Sequence, residues 1–250
     1  MSDPVAGLRL ALTTFTVAPV RAGRIDRAAA AWAVSLAPLV GAALGAVLAG
    51  VGIGFRALGT TAPVAAVIVV GLGVLATRGL HLDGLADTVD GLGSYRDAQG
   101  ALDIMKKSDV GPFGVAAIVL VLLAQTVAFT ALLGRPAWPS FVAVAAATAT
   151  GRLAVSVACR RGVPAARPDG LGALVAGTVP VTAVAAWTVL LAVATVVVSP
   201  WRGPIAVLVG LAGAALLVAH ATRRIGGVTG DVLGACVEVS TCLTALALAI

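Results

Sequence analysis

AAAAWAVSLAPLVGAALGAVLAGVGIGF, residues 28–55, decides the fold, because it runs without a single charged side chain. A helix of about 20 predominantly apolar residues crosses the hydrocarbon core of a bilayer, satisfying its own backbone hydrogen bonds where no water is available. Residues 57–77, 110–134, 170–201 and 203–222 are equally free of charge. Residues 136–159 are interrupted only by Arg152, and residues 232–250 carry only Glu238. The expected fold is therefore all-α, a polytopic membrane helical bundle of about six or seven transmembrane helices. A single integral membrane domain over residues 1–250 is expected.

Composition excludes a soluble domain: 60% of residues are hydrophobic, 11% are charged, and the mean hydropathy is +1.06. Aromatic residues make up only 4%, and the abundance of Ala, Val, Gly and Leu suits helices that approach closely through small side chains. Cys159, Cys236 and Cys242 form an odd set without metal-ligand spacing and are expected to pack as small apolar groups. The opening MSDPVAGLRLALTTFTVAPV lacks a basic n-region. It is expected to form an interfacial or short re-entrant helix and not a cleaved signal peptide.

Taken in order, the connections between spans alternate in charge. Arg56, Arg135 and Arg202 stand alone in one set. The other set is crowded, with Arg21, Arg24 and Arg27, then Arg78, Arg96, Lys106 and Lys107, then Arg160, Arg161 and Arg167, and last Arg223 and Arg224. The positive-inside rule makes the crowded side cytoplasmic, so the active face of a multi-pass protein of the bacterial inner membrane is expected there. The net charge of +6 then belongs to a membrane-facing and phosphate-facing surface, and no nucleic acid is expected as a partner. Asp26, Asp83, Asp87, Asp90, Asp97, Asp103, Asp109, Asp169 and Asp231 all fall in or beside the same loops. Orientation rules give acids little weight, so chemistry is the better reason for their asymmetry.

The longest polar connection, residues 78–109, holds HLDGLADTVDGLGSYRDAQGALDIMKKSD. Asp83, Asp87 and Asp90 are spaced i, i+4, i+7, which gathers them within about 60° of one helix face. Gly79, Gly84, Gly91 and Gly93 interrupt that helix, so short helical turns joined by bends are expected. Carboxylates held so close repel by about 1 kcal/mol per pair in water and more where partly buried. A cation relieves this, and hard oxygen ligands suit Mg²⁺, which uses one or two carboxylates and completes its shell with water and substrate phosphates. A solvated polar loop is the plainer reading. His81 is a candidate general base or ligand, or an ordinary interfacial histidine. Downstream, Lys106, Lys107, Ser108 and a Gly-Pro turn offer phosphate contacts or a positive-inside anchor.

Arg152 lies about two turns inside an expected span, where a charge costs roughly 2.5–3.5 kcal/mol unless paired. Arg160, Arg161 and Arg167 are placed to grip a pyrophosphate or to fix topology. RRIGGVTGDVLGACVE, residues 223–238, reads as a phosphate or metal loop with Arg223, Arg224, Thr229 and Asp231. Glu238 shares a helix face with Asp231 at i+7 and is a second candidate metal ligand or a structural partner for Arg152.

RGLHLDGLADTVDGLGS, IMKKSDVGPFG and GGVTGDVLGA, in this order, resemble the cobalamin synthase family, the adenosylcobinamide-GDP ribazoletransferases. LTTFTVAP near the start and GRLAVSVACRRGVPAARPDGLG in the middle extend the resemblance over nearly the whole chain. The resemblance implies a Mg²⁺-dependent transfer in which α-ribazole, or its 5′-phosphate, attacks adenosylcobinamide-GDP. The products would be adenosylcobalamin, or its 5′-phosphate, and GMP. In that scheme Asp83, Asp87 and Asp90, with Asp231 and Glu238, are the metal candidates. One of the three aspartates or His81 accepts the nucleophile's proton. Arg78, Lys106, Ser108, Arg152, Arg223, Arg224 and Thr229 are the phosphate and substrate contacts. A homo-oligomer, or a complex with other cobalamin-assembly enzymes, is left open. The chain departs from the family pattern at Lys107 and Asp109, where acid and base exchange order, and at Thr241, where a second acid is common.

Two rivals fit less well. A CDP-alcohol phosphotransferase opens its motif DG-x-x-AR, whereas Asp87 stands at the arginine position in DGLADTVDG. A small-solute transporter predicts charges near the bilayer midplane, and here most charges gather at one surface.

Overall fold

A computed structural model describes residues 3–21 and 23–250. The described residues form eleven helices: α1 (Pro4–Phe15), α2 (Arg27–Ala57), α3 (Ala62–Ala76), α4 (Leu80–Gly93), α5 (Ala98–Ile104), α6 (Pro112–Leu133), α7 (Ala137–Ala158), α8 (Gly170–Val175), α9 (Val181–Thr195), α10 (Arg202–Ile225) and α11 (Gly230–Ala249). Local chemistry sets several starts. Asp26 accepts the Ala28 and Ala29 amides at 3.0 and 2.9 Å to open α2, and Thr229 accepts the Val232 amide at 3.2 Å to open α11. Pro112 stands in the first turn of α6, where a missing N–H costs nothing.

Five helices, α2, α6, α7, α10 and α11, are long and apolar enough to cross a membrane, and α3 with α4 makes a sixth candidate bent by 85°. The polytopic all-α bundle is thus present, with the span count at five or six. The charge-free run 170–201 is not one helix. Gly177 takes a left-handed φ of 71°, and Pro180 follows as the N-cap of α9. Between them Val179 joins the neighbouring connection, donating to Cys159 O at 3.0 Å and accepting from Arg161 N at 2.9 Å. What remains is α9, 15 residues long and about 22 Å at 1.5 Å per residue. α1, at 12 residues, is too short to cross and lies against α2.

α7 is the centre of the bundle, buried along most of its length and flanked by α2, α10 and α11. Small residues permit this: a Cβ on Gly45 would stand 2.8 Å from the Ala145 Cα, and one on Gly41 2.9 Å from the Arg152 Cβ. The α2–α7 crossing therefore brings backbone against side-chain stem, as lipid-embedded helices need when water supplies no drive to associate. The two largest apolar clusters mark the ends of the core. One joins α1, the start of α2, the end of α7 and the start of α11 beneath the polar loops. The second fills the opposite end, where α3 and α6 close on α2 and α7. All three cysteines are buried and free, as apolar packers would be.

Candidate active site at the acidic end of the bundle

The site begins at an elbow. Arg78 and Gly79 both adopt left-handed backbone, φ 56° and 69°, and the chain leaves α3 through 85° into α4. A left-handed arginine is strained and needs holding; its Nη2 donates to the Thr13 carbonyl at 3.1 Å. α4 is one continuous helix, not turns joined by bends, because its glycines are packing contacts. A Cβ on Gly84 would stand 2.8 Å from the Asp231 carbonyl, and one on Gly234 3.2 Å from the His81 carbonyl. α4 and α11 therefore cross backbone to backbone. Leu82 and Leu85 turn into an apolar cluster with Ala235, leaving Asp83 exposed and Asp87 and Asp90 half-buried on the helix that the 85° bend turns out of the line of α3.

This crossing brings Asp231, in the first turn of α11, up to the acids of α4. Burial, then the charges of Asp83, Asp231 and Asp90, push the Asp87 carboxyl up to about 6. The nearby Arg167 guanidinium opposes them. It is delivered by the connection between α7 and α8, which pairs with the loop before α11. Ala166 N donates to Val228 O at 3.0 Å, and Val228 N donates to Pro164 O at 3.0 Å. One Arg167 Nη2 donates to Leu102 O at 2.7 Å, and its buried Nε has no protein partner. Sequence reasoning offered Arg167, together with Arg160 and Arg161, as a pyrophosphate grip or a topology-fixing charge, without placing it beside the acids. Its position facing Asp87 and Asp231 depends on loop pairing that no local pattern announces.

The other expected contacts divide by what holds them. Thr229 caps α11 and donates to Asp231 Oδ2 at 3.1 Å, fixing that carboxylate. Arg224 Nη2 donates to the Ser94 and Arg96 carbonyls at 3.1 and 3.2 Å, fastening α10 to the end of α4. Arg223, Lys106 and Ser108 are exposed at the same end. Lys107 lines a cleft of about 250 Å³ with Asp87, Asp90 and Asp109.

Two expected ligands lie elsewhere in role or place. Asp90 accepts the Gly111 and Gly114 amides at 2.7 and 2.9 Å, so its oxygens close the start of α6. Glu238 accepts Gln125 Nε2 at 2.7 Å inside the bundle, sharing a cavity of about 40 Å³ with Arg152 and Thr241. It has the helix face of Asp231 but not its depth, since seven residues of helix advance about 10 Å. Arg152 is buried there too, its Nε unpartnered, well below the exposed loops.

Among the described residues no three His, Cys, Asp or Glu side chains converge as a ready metal cage. Asp83, Asp87 and Asp231 form an open carboxylate rim, crowded enough to hold a proton on Asp87 at mildly acidic pH. Such a rim fits Mg²⁺, which takes one or two carboxylates and completes its octahedron with water and phosphate oxygens. Beneath the rim lies a cavity of about 450 Å³, walled by α1, α2, α4, α7, α8 and α11 and containing the buried His81.

A family model described as cobalamin-5-phosphate synthase matches residues 7–249. A protein of Frankia casuarinae named adenosylcobinamide-GDP ribazoletransferase is 40% identical, over 96% of this chain and 93% of its own. A Nocardioides protein of the same name is 39% identical over 96% of each chain. One from Pseudomonas paraeruginosa is 35% identical over the whole of both. No solved structure matches the chain.

Proposed function

Because the chain belongs to the cobalamin-5-phosphate synthase family, enzymes of cobalamin biosynthesis, we propose that its acidic end joins adenosylcobinamide-GDP to α-ribazole or α-ribazole 5′-phosphate. The observation that carries this reading is the meeting of Asp83, Asp87, Asp231 and Arg167 at one end of a membrane bundle. In the reaction a ribose hydroxyl oxygen forms a bond to the phosphorus that bears the cobinamide arm. The bond from that phosphorus to the bridging oxygen breaks, GMP leaves with its electron pair, and the hydroxyl proton passes to a carboxylate and then to water. The products are adenosylcobalamin, or its 5′-phosphate, and GMP.

Asp83 and Asp87 are the candidates to accept that proton, because Asp83 is exposed and Asp87 half-buried, whereas Asp231 already accepts from Thr229. Asp83, Asp87 and Asp231 would hold Mg²⁺, which when bound offsets charge on the pyrophosphate. Arg167 supplies fixed positive charge beside the same oxygens, a bidentate donor suited to phosphate. Arg223, Lys106, Lys107 and Ser108 extend the phosphate-facing surface. Thr229, Arg224 and Arg78 act one step back, by fixing Asp231, the end of α4 and the elbow. The positive-inside rule supports a cytoplasmic position for this end in the bacterial inner membrane.

The test is GMP release by the purified full chain given adenosylcobinamide-GDP, α-ribazole 5′-phosphate and Mg²⁺. Release that requires the nucleoside and falls to background in Asp87→Ala is expected. Release no greater than that of Asp87→Ala overturns the reading.

A further inference from the structure

The 450 Å³ cavity under the acidic rim lies within the range of small-molecule sites, roughly 300–1,000 Å³. Its inner walls are apolar, among them Phe15, Ala33, Val34, Val155, Leu174 and Val237. Of the polar groups lining it, Thr14, Asp83 and Asp231 are half-buried or exposed, and only His81 is buried, at 3% exposure. Both ring nitrogens of His81 are buried, turned from the open space of the cavity, and lack any protein partner, and the Phe15 ring stands beside the imidazole, centroids 6.0 Å apart. Leaving a buried polar group unpaired costs about 1–3 kcal/mol, so His81 calls for a ligand that brings the missing hydrogen bond.

We infer that this cavity is the acceptor-nucleoside site, holding the flat, uncharged bicyclic base of ribazole, with the His81 imidazole turning on binding to donate to its ring nitrogen. The inference rests on the ribazoletransferase reading and assigns one substrate to one place. A corrinoid macrocycle is too large for 450 Å³. Guanine would carry its amine, amide and carbonyl into apolar walls where His81 alone could answer them, which desolvation disfavours. A fused apolar base with one accepting nitrogen needs one donor, and a neutral imidazole has one. With the base seated beside Phe15, the sugar emerges at Asp83 and Asp231, and its hydroxyl meets the carboxylates. The corrinoid and GDP halves then approach from the open side of the rim, past Arg167.

The experiment measures α-ribazole binding to the full chain by calorimetry without the cobinamide substrate, then steady-state constants for both substrates. Filling the cavity with Ala33→Phe is expected to weaken ribazole binding and raise its KM about tenfold or more, leaving the KM for adenosylcobinamide-GDP unchanged. Val155→Ala, which enlarges the cavity, is expected to shift preference towards nucleosides with a bulkier base. Replacing the accepting ring nitrogen of the nucleoside by C–H should weaken binding to the wild-type chain but make no difference to His81→Phe. Ribazole binding unaffected by Ala33→Phe and Val155→Ala, or a KM effect confined to adenosylcobinamide-GDP, overturns the assignment. Calorimetry keeps the two readings apart: ribazole binding that responds to the cavity variants without any GMP release overturns the reaction and leaves the site.

Discussion

Asp87 carries opposite consequences for stability and for activity. Its carboxyl is raised from 3.8 to about 6, first by burial and then by Asp83, Asp231 and Asp90. Between those values the folded chain binds more protons than the unfolded one, so this group's contribution to stability grows as pH falls through 6. A metal-binding or proton-accepting carboxylate must be ionised, so GMP release should instead rise through an inflection near 6. Mg²⁺ should move that inflection to lower pH by favouring the charged form. Rate-against-pH curves at two Mg²⁺ concentrations check this, and a pH-independent rate from 5 to 7 (about one unit either side) would contradict it. Asp83→Asn and Asp87→Asn should cut kcat by about a hundredfold or more and raise the Mg²⁺ needed for half-activation. Glu238→Gln should leave that requirement unchanged, since a neutral amide still accepts from Gln125. The i, i+4, i+7 spacing made Asp83 and Asp87 legible in the sequence. It also drew in Asp90, whose oxygens serve the Gly111 and Gly114 amides, because spacing gives a face and not a hydrogen-bond partner.

At the scale of elements, α4 matters through its contact with α11. Gly84 puts the two backbones together, with Asp231 O 2.8 Å from any added Cβ. Gly84→Ala must push α4 away, at a cost of about 1–3 kcal/mol, and with it Asp83 and Asp87 from Asp231. The expected result is a lowered Tm together with a fall in kcat larger than that of a variant of equal Tm loss in the distant cluster, such as Leu132→Ala. Thermal unfolding and GMP release on the same preparations decide it; equal kcat in the two would remove the crossing from the site. Asp90→Ala should also lower stability, by about 1–3 kcal/mol, because two amides at the start of α6 lose their acceptor. Long apolar runs with at most one charge revealed α2, α6, α7, α10 and α11. The same criterion merged α8 and α9, since hydropathy has no record of the left-handed Gly177 or of Val179 pairing with the α7–α8 connection. In α4 the glycines mark helix contact, and sequence alone gives a glycine as readily to a bend.

Over the whole molecule, the ends of the bundle differ in what their arginines do. At the acidic end Arg27, Arg167 and Arg224 bind carbonyls of other segments and tie the loops together. At the other end Arg135 donates to Ala249 O at 3.3 Å and Arg202 to Ile250 O, both at the close of α11, where cations also suit the helix dipole. These bonds place the starts of α7 and α10 beside the end of α11, so Trp201 belongs to the end opposite Tyr95. The 15 residues of α9 must then bring the chain across, with the segment 196–201 completing the passage. Single cysteines test this cleanly, because Cys159, Cys236 and Cys242 are buried, whereas Leu58, Tyr95 and Trp201 are 81%, 106% and 82% exposed. A membrane-impermeant maleimide should label Tyr95→Cys in inverted vesicles, and Leu58→Cys and Trp201→Cys in right-side-out vesicles. Labelling of Trp201→Cys from the same side as Tyr95→Cys would mean that α9 turns back. Labelling of Tyr95→Cys from outside would put the acidic rim on the face away from cytoplasmic nucleotides, contrary to the charge pattern that oriented the chain.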